Sequence, residues 1–462
     1  MSSQFPLSQM ITSGAVRNLT PRLQLFNTLP YAYLLVFLWR QTHFGSSMAT
    51  RAQKRVNLAV SKIVPPVLVG FMIYASYGVT KPLCIDYLIH PLPSYNRRPR
   101  VGAGAAIIVI YYLLLIPMLG TYFRLLYSVV RNPGYLPLGA ERLQADAAEK
   151  GSKPSIKRRG WWSSKSQETE KVDTALDLEH GGNKYPGGQG LQGDELSLES
   201  FYTKDVFVCQ DDGRPQYCST CCQFKTDRAH HCREINRCVA KMDHFCPWVG
   251  GVVSETTFKF FIQFVGYTAI FCIFVLIVTA YFTAEVRRNT GSVNPHWCVC
   301  LGLGAFFGFF TGVMTLSSIQ MAMVNVTTIE NLSRRSRVWT LAIRVPEHLL
   351  ERLWVNESAW APTFRMVSYP PEGSISPSQP RPTDSSTTER HVFAILHTSP
   401  GENPFDLGIW KNLQQVMGYS LTDWLLPLKP SPCTDHTSQE SAFALGPVVT
   451  RLKQEAGLVA PP

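Results

Sequence analysis

Four residues near the middle of this 462-residue chain have the types and the spacing to close around a metal ion. Cys218 and Cys221 leave two residues between them, His231 follows after nine more, and Cys238 after a further six. Three thiolates and one imidazole make a closed tetrahedral donor set, which suits structural zinc; a catalytic zinc keeps a position open. A loop with few apolar residues needs such a staple to fold. Seven of the twelve cysteines fall between Cys209 and Cys246, several beside histidines. That clustering points to metal binding or catalysis in a reducing compartment, not to a disulfide framework.

The elements that must position this cluster are apolar. Four stretches carry about the 20 apolar residues a bilayer crossing needs: residues 63–80, 101–123, 260–284 and 297–323. Assigned with their flanks, they predict spans at 58–80, 101–126, 258–284 and 297–324. A weaker apolar stretch at 29–39 is too short to span and reads as interfacial or as part of a cytosolic extension over 1–57. The first twenty residues lack an apolar core, so no secretory signal is expected. The expected fold is an α-helical integral membrane protein of four transmembrane helices. A small cytosolic, zinc-stabilised cysteine-rich domain at 201–257 lies between the second and third.

Basic residues give the orientation. Arg51, Lys54, Arg55, Arg124, Arg131, Lys241, Arg334, Arg335 and Arg337 gather on one side. Lys81, Arg97, Arg98, Arg100, Arg287 and Arg288 gather on the other. The bias predicts a multi-pass protein of an endomembrane or the plasma membrane, with the catalytic domain and both termini in the cytosol. The net charge of +11 then reads as cytosolic loops facing the anionic lipid bilayer, with no nucleic-acid partner. The loop over 132–200 is polar and reads as largely disordered, as do 370–388 and the tail from Pro430. Residues 325–462 form a cytosolic C-terminal region. No glycine-rich phosphate loop is present, so nucleotide hydrolysis has no support.

The run CSTCCQFKTDRAHHCREINRCVAKMDHFCPWVGGVVSETTF, residues 218–258, resembles the cysteine-rich domain of the DHHC-type palmitoyltransferases, in a divergent fungal branch. In that family two interleaved zinc sites are offset by fourteen residues. The same offset here lands on Cys232, Ile235, Phe245 and Val252. The resemblance therefore implies one kept site, Cys218, Cys221, His231 and Cys238. The other has lost three ligands to an apolar cluster, leaving Cys232 a free thiol. One zinc per chain is expected. The signature tetrad appears as Asp243-His244-Phe245-Cys246, altered only at a position the family uses for zinc. The resemblance implies Cys246 as nucleophile, His244 as its base and Asp243 as the residue orienting His244, the logic of Cys–His nucleophilic catalysis.

Three further segments carry the resemblance. Thr327-Thr328-Ile329-Glu330 matches the family's TTxE motif just after the last span, and Asn132-Pro133-Gly134 matches its DPG motif with Asn for Asp. Residues 403–418, NPFDLGIWKNLQQVMG, resemble a C-terminal amphipathic element that Asn412 is expected to tie down. Lys225, Arg228 and His230 correspond to basic residues that contact the CoA phosphates. The implied activity is protein S-palmitoyl transfer. A fatty acyl-CoA, palmitoyl-CoA, donates through Cys246 to cysteines of membrane-associated proteins. The alternatives are a catalytically silent membrane scaffold, favoured by the lost zinc site, and a membrane-anchored zinc-finger ubiquitin ligase, which usually needs two metal sites.

Overall fold

The computed structural model describes residues 51–95, 97–151, 198, 200–350, 364–369 and 391–459. The stretch at 29–39, most of the polar central loop and the 370–388 segment lie outside these.

Four helices are long and apolar enough to cross a membrane: Gln53–Ile89, Val101–Arg131, Phe258–Thr290 and Pro295–Met323. The first is α1, Arg51–Gly78, which continues as a wider π-type turn over Val79–Ile89. Pro82 sits in that turn and cannot donate to an α-helical ladder, which favours the irregular register there. The others are α2 (Val101–Arg131), α3 (Phe258–Thr290) and α4 (Pro295–Met323). Large apolar side chains stay exposed along them, including Ile73, Ile116 and Leu316, as expected of surfaces that lipid covers.

The described chain divides into two compact units. One comprises residues 51–59, 74–114 and 265–320. Its polar centre is Glu285, which accepts from Tyr87 Oη at 2.9 Å and from both terminal nitrogens of Arg100 at 2.9 and 3.1 Å. A largely buried carboxylate is tolerable because it is paired. Trp297, fully buried, packs its ring edge-on against Tyr87.

The second unit comprises 60–73, 115–264 and 321–459 and holds the cysteine-rich region. In chain order its strands are β1 (Val206–Val208), β2 (Tyr217–Cys218), β3 (Gln223–Phe224), β4 (His230–Cys232), β5 (Arg237–Val239), β6 (His244–Cys246), β7 (Gly251–Val253), β8 (Thr340–Arg344), β9 (Arg365–Tyr369) and β10 (His391–His397). β2–β3, β4–β5 and β6–β7 are short antiparallel hairpins. The remaining strands form one antiparallel sheet in the order β1-β8-β10-β9.

Both faces of that sheet are covered. Ala342, Phe393 and Ile395 pack with Phe201, Tyr202 and Phe207 on one side. Leu341, Ile343 and Ala394 pack with Val449, Leu452 and Leu458 on the other. The last three belong to the tail, which corrects the expectation of poor order beyond Pro430. The tail carries a helix over Pro447–Glu455 whose apolar stripe buries against the sheet, and Phe443 packs with Trp339 and Phe405. Burial of such side chains, at roughly 1.5–3 kcal/mol each, outweighs the local polarity that suggested a loose end.

The unit also carries short helices, among them α5 (Thr328–Leu332) and α6 (Ile409–Met417). α5 opens with a reciprocal capping box. Thr327 Oγ1 accepts from Glu330 N at 3.2 Å, and Glu330 Oε2 accepts from Thr327 N at 2.9 Å. Asn412 on α6 is fully buried; it donates to Met323 O at 2.8 Å and accepts from Leu407 N at 2.9 Å.

Candidate active site and metal centre

Hairpin geometry brings the four predicted zinc ligands together. Cys218 ends β2 and Cys221 lies in the turn to β3, while His231 and Cys238 face each other across β4 and β5. Their ligating atoms lie within 4.8 Å of one another. His231 Nδ1 stands 3.5, 3.4 and 3.8 Å from the sulfurs of Cys218, Cys221 and Cys238. A tetrahedral zinc with ordinary bond lengths puts sulfur and nitrogen about 3.6 Å apart. The donor set therefore fits a zinc ion, and it is the one such group among the described residues.

The Asn-Pro-Gly turn after α2 braces this knuckle. Leu136 N donates to Cys238 O at 3.0 Å, Gly139 N to Cys221 O at 2.9 Å, and Ala240 N to Gly134 O at 2.8 Å. Ser254 Oγ donates to Pro133 O at 3.0 Å and Thr256 Oγ1 to Asn132 O at 2.7 Å, tying the turn to the start of α3. Gly134, at φ 77°, takes the left-handed conformation this turn needs.

The second set of family positions forms an apolar cluster. Cys232 and Val252 are buried, with Ile235, Phe245, Val239, Met242 and Ile329 packed around them. Phe245 and Val252 are direct partners across β6 and β7. Burial pushes the Cys232 thiol up to about 12, so it stays protonated at neutral pH.

Asp243, His244 and Cys246 lie beside this cluster. Asp243 is buried and its N–H donates to Val253 O at 2.9 Å, fixing it at the base of β6. One carboxylate oxygen meets His244 Nδ1 at 2.6 Å and also accepts from Thr328 Oγ1 at 2.8 Å; the other accepts from Thr328 N at 2.8 Å. Burial works against a charged His244. Its hydrogen bonds to Asp243 and Cys246, and their negative charge, outweigh that and raise it to about 10. The ring packs edge-on against Phe261. Cys246 is buried and precedes a tight turn, Pro247–Val249, that closes at Gly250 with φ 77°. Tyr122 Oη donates to Trp248 O at 3.1 Å and steadies that turn. A carboxylate, an imidazole and a thiol so ordered can polarise the thiol and hold its proton.

Of the three residues expected to face CoA, Lys225 and His230 are partly exposed. Arg228 is a correction. Its side chain has no exposed surface and forms a bidentate pair with Glu330 at 2.7 and 2.6 Å. It also bonds Asn325 at 2.9 Å through side chain and backbone, and stacks on Phe405 at 4.9 Å. An arginine with four of its five donors committed and no exposed surface is not placed to meet a phosphate. Asn325 escaped the sequence reading. It joins Arg228, Lys241 and Phe405 O at one hub, with φ 46°, and its only outward sign is an asparagine two residues before the Thr-Thr pair.

A membrane protein with four spans, a closed thiolate–imidazole cluster and a Cys–His–Asp line between the second and third is built like a membrane acyltransferase. The family model of the DHHC palmitoyltransferases matches residues 211–335. The chain is 62% identical to palmitoyltransferase pfa5 of Aspergillus fumigatus over 89% of its length and 93% of the relative's. It is 52% identical to pfa5 of Emericella nidulans over 89% of its length and 88% of the relative's. It is 25% identical to palmitoyltransferase ZDHHC15 of Rattus norvegicus over about half of each chain. The chain belongs to the DHHC palmitoyltransferase family.

Proposed function

We propose that this chain is a protein S-palmitoyltransferase that works through an acyl-enzyme on Cys246. The observation that carries the reading is the Asp243–His244 pair at 2.6 Å, locked by two hydrogen bonds from Thr328, with His244 and Cys246 on the same face of β6. His244, held as the cation by Asp243, carries the proton that Cys246 gives up. The thiolate attacks the thioester carbonyl of palmitoyl-CoA, a new carbon–sulfur bond forms, and the bond to CoA sulfur breaks. The CoA thiolate leaves with the proton from His244. An acceptor cysteine then gives its proton to His244, and its sulfur takes the acyl group from Cys246, which regains a proton. Two easier steps replace one hard one.

Zinc, when bound at Cys218, Cys221, His231 and Cys238, supplies folding energy only, since the donor set leaves no open position. Lys225 and His230 are the residues to meet the CoA phosphates. The basic bias of the loops supports a cytosolic site and cytosolic termini, where acyl-CoA and reduced thiols are available. Acceptor proteins would be membrane-associated, because residence on one surface raises their effective concentration.

The test is acyl-enzyme formation by the detergent-purified chain. Labelled palmitoyl-CoA should give hydroxylamine-labile label on the wild type and none on Cys246→Ser. Equal label on both removes the mechanism. No label on folded, zinc-loaded protein makes the silent scaffold the better reading.

A further inference from the structure

Span α2 ends in two arginines that no carboxylate among the described residues answers. Arg124 and Arg131 are two helical turns apart on one face. Their guanidinium carbons lie 5.7 and 6.0 Å from the centre of the same Tyr127 ring. Arg124 also covers Phe260 at 5.0 Å, and its Nε is buried without an acceptor among the described residues. Neither arginine forms an ion pair among those residues. Lys204 faces the same space, gives hydrogen bonds to two carbonyls, His436 O at 2.7 Å and Ser438 O at 2.5 Å, and forms no ion pair among the described residues.

These three cations line one cavity of about 630 Å³. Two carboxyl groups also line it, and together they offset only part of this charge. Glu255 is bonded to His436 Nε2 at 3.1 Å, and His436 Nδ1 meets Ala442 O at 2.7 Å. With an acceptor at each ring nitrogen, that histidine is held as the cation, and the pair is neutral. Asp227 accepts from Val208 N at 2.9 Å, and burial raises it to about 7. Bringing like charges together without a counter-charge is costly, and a phosphate would relieve it while giving Arg124 Nε an acceptor.

The same helix continues away from the cavity as an exposed apolar strip. Ile116 is 68% exposed, Phe123 55% and Val130 78%. A cationic chamber at the head of such a strip matches a molecule with an anionic head and apolar tails. We propose that the cavity binds the phosphorylated headgroup of an anionic phospholipid through Arg124, Arg131 and Lys204, with the acyl chains lying along α2. This rests on the membrane reading and is independent of acyl transfer, so it can fail while the acyl-enzyme assay succeeds, and the reverse.

The experiment is native mass spectrometry of the delipidated full-length chain in maltoside micelles, titrated with phosphatidylinositol 4-phosphate and, separately, with phosphatidylcholine. One tight adduct of the phosphoinositide is expected. Each arginine near an anionic headgroup is worth about fivefold in affinity, so Arg124→Gln with Arg131→Gln should weaken it roughly 25-fold. Lys204→Gln, which leaves α2 untouched, should weaken it about fivefold and serves if the double variant fails to fold, with zinc content as the folding check. Equal binding by wild type and variants, or equal binding of the two lipids, overturns the proposal. So does displacement of the lipid by water-soluble inositol bisphosphate or free CoA at matching concentration, which would assign the cavity to soluble phosphates.

Discussion

Replacing Glu330 with Gln tests how the site is held. Glu330 and Arg228 have 2% and no exposed side-chain surface, and their two contacts are 2.7 and 2.6 Å. Burial alone would raise the Glu330 carboxyl. The charge and hydrogen bonds of Arg228, with the Thr327 N–H, instead lower it from an ordinary 4.5 to about 2. That drop corresponds to about 3 kcal/mol favouring the folded state at neutral pH. Removing one partner of a buried pair costs roughly 3–5 kcal/mol, because the other charge is left buried, so the two routes agree. Gln keeps the shape and can still cap α5, so the loss isolates the charge.

The variant should melt roughly 6–12 °C below the wild type in detergent at pH 7, at a few degrees per kcal/mol for a unit of this size. The pH dependence has a fixed sign. A carboxyl lowered in the folded state contributes fully above its unfolded value near 4.5 and loses that contribution as pH falls towards 2. The gap between the two proteins should therefore shrink between pH 4.5 and pH 2. Acyl-enzyme formation should slow as well, since Thr328, which holds Asp243, is on the helix Glu330 caps. Melting within about 2 °C of wild type at pH 7, or a gap that stays constant down to pH 3, would refute the reasoning.

Two further outcomes are expected. Asp243→Asn removes the negative charge that keeps His244 charged at neutral pH, so acyl-enzyme formation should fall by roughly 10²–10⁴-fold, read by single-turnover labelling; an unchanged rate would exclude Asp243 from the chemistry. Metal analysis of the purified chain should give one zinc, falling towards none in Cys218→Ser with loss of folded protein, whereas two per chain would contradict the apolar second site.

The membrane helices were legible because uncharged apolar runs of that length have few other uses. The zinc ligands were legible because cysteine and histidine are costly to place idly at that spacing. The sheet was not. β8 and β10 read TLAIR and HVFAILH, and both of their faces are covered, so the alternation that marks a half-exposed strand is missing. Their pairing also joins residues far apart in sequence, Val206 with Ile343 and Ile343 with Ala394. Arg228 was misread for a related reason. A lone arginine in a basic run looks like a surface charge until its partner Glu330, about a hundred residues on, is brought against it.

The fourteen-residue offset has a three-dimensional counterpart. In the kept site, two ligands come from the first hairpin and two face each other across the second. In the altered site, Cys232 and Ile235 come from the second hairpin, and Phe245 faces Val252 across the third. The same construction holds a metal once and an apolar plug once. Val252 is buried and Ile235 and Phe245 are partly buried, so the plug contributes at most roughly 5–9 kcal/mol against roughly 10–16 kcal/mol for a structural zinc, and it replaces part of the metal's role without a charged centre. Strand geometry explains how this spares the chemistry. Alternate residues point to opposite faces, so Phe245 enters the plug while His244 and Cys246 face away from it. Phe245→Ala should therefore cost roughly 2–3 kcal/mol, because the ring is only partly buried, while the surviving folded protein keeps its single-turnover acylation rate within a few-fold. Loss of acylation out of proportion to the loss of folded protein would mean that the plug itself positions Cys246, and that the two faces of β6 are not independent.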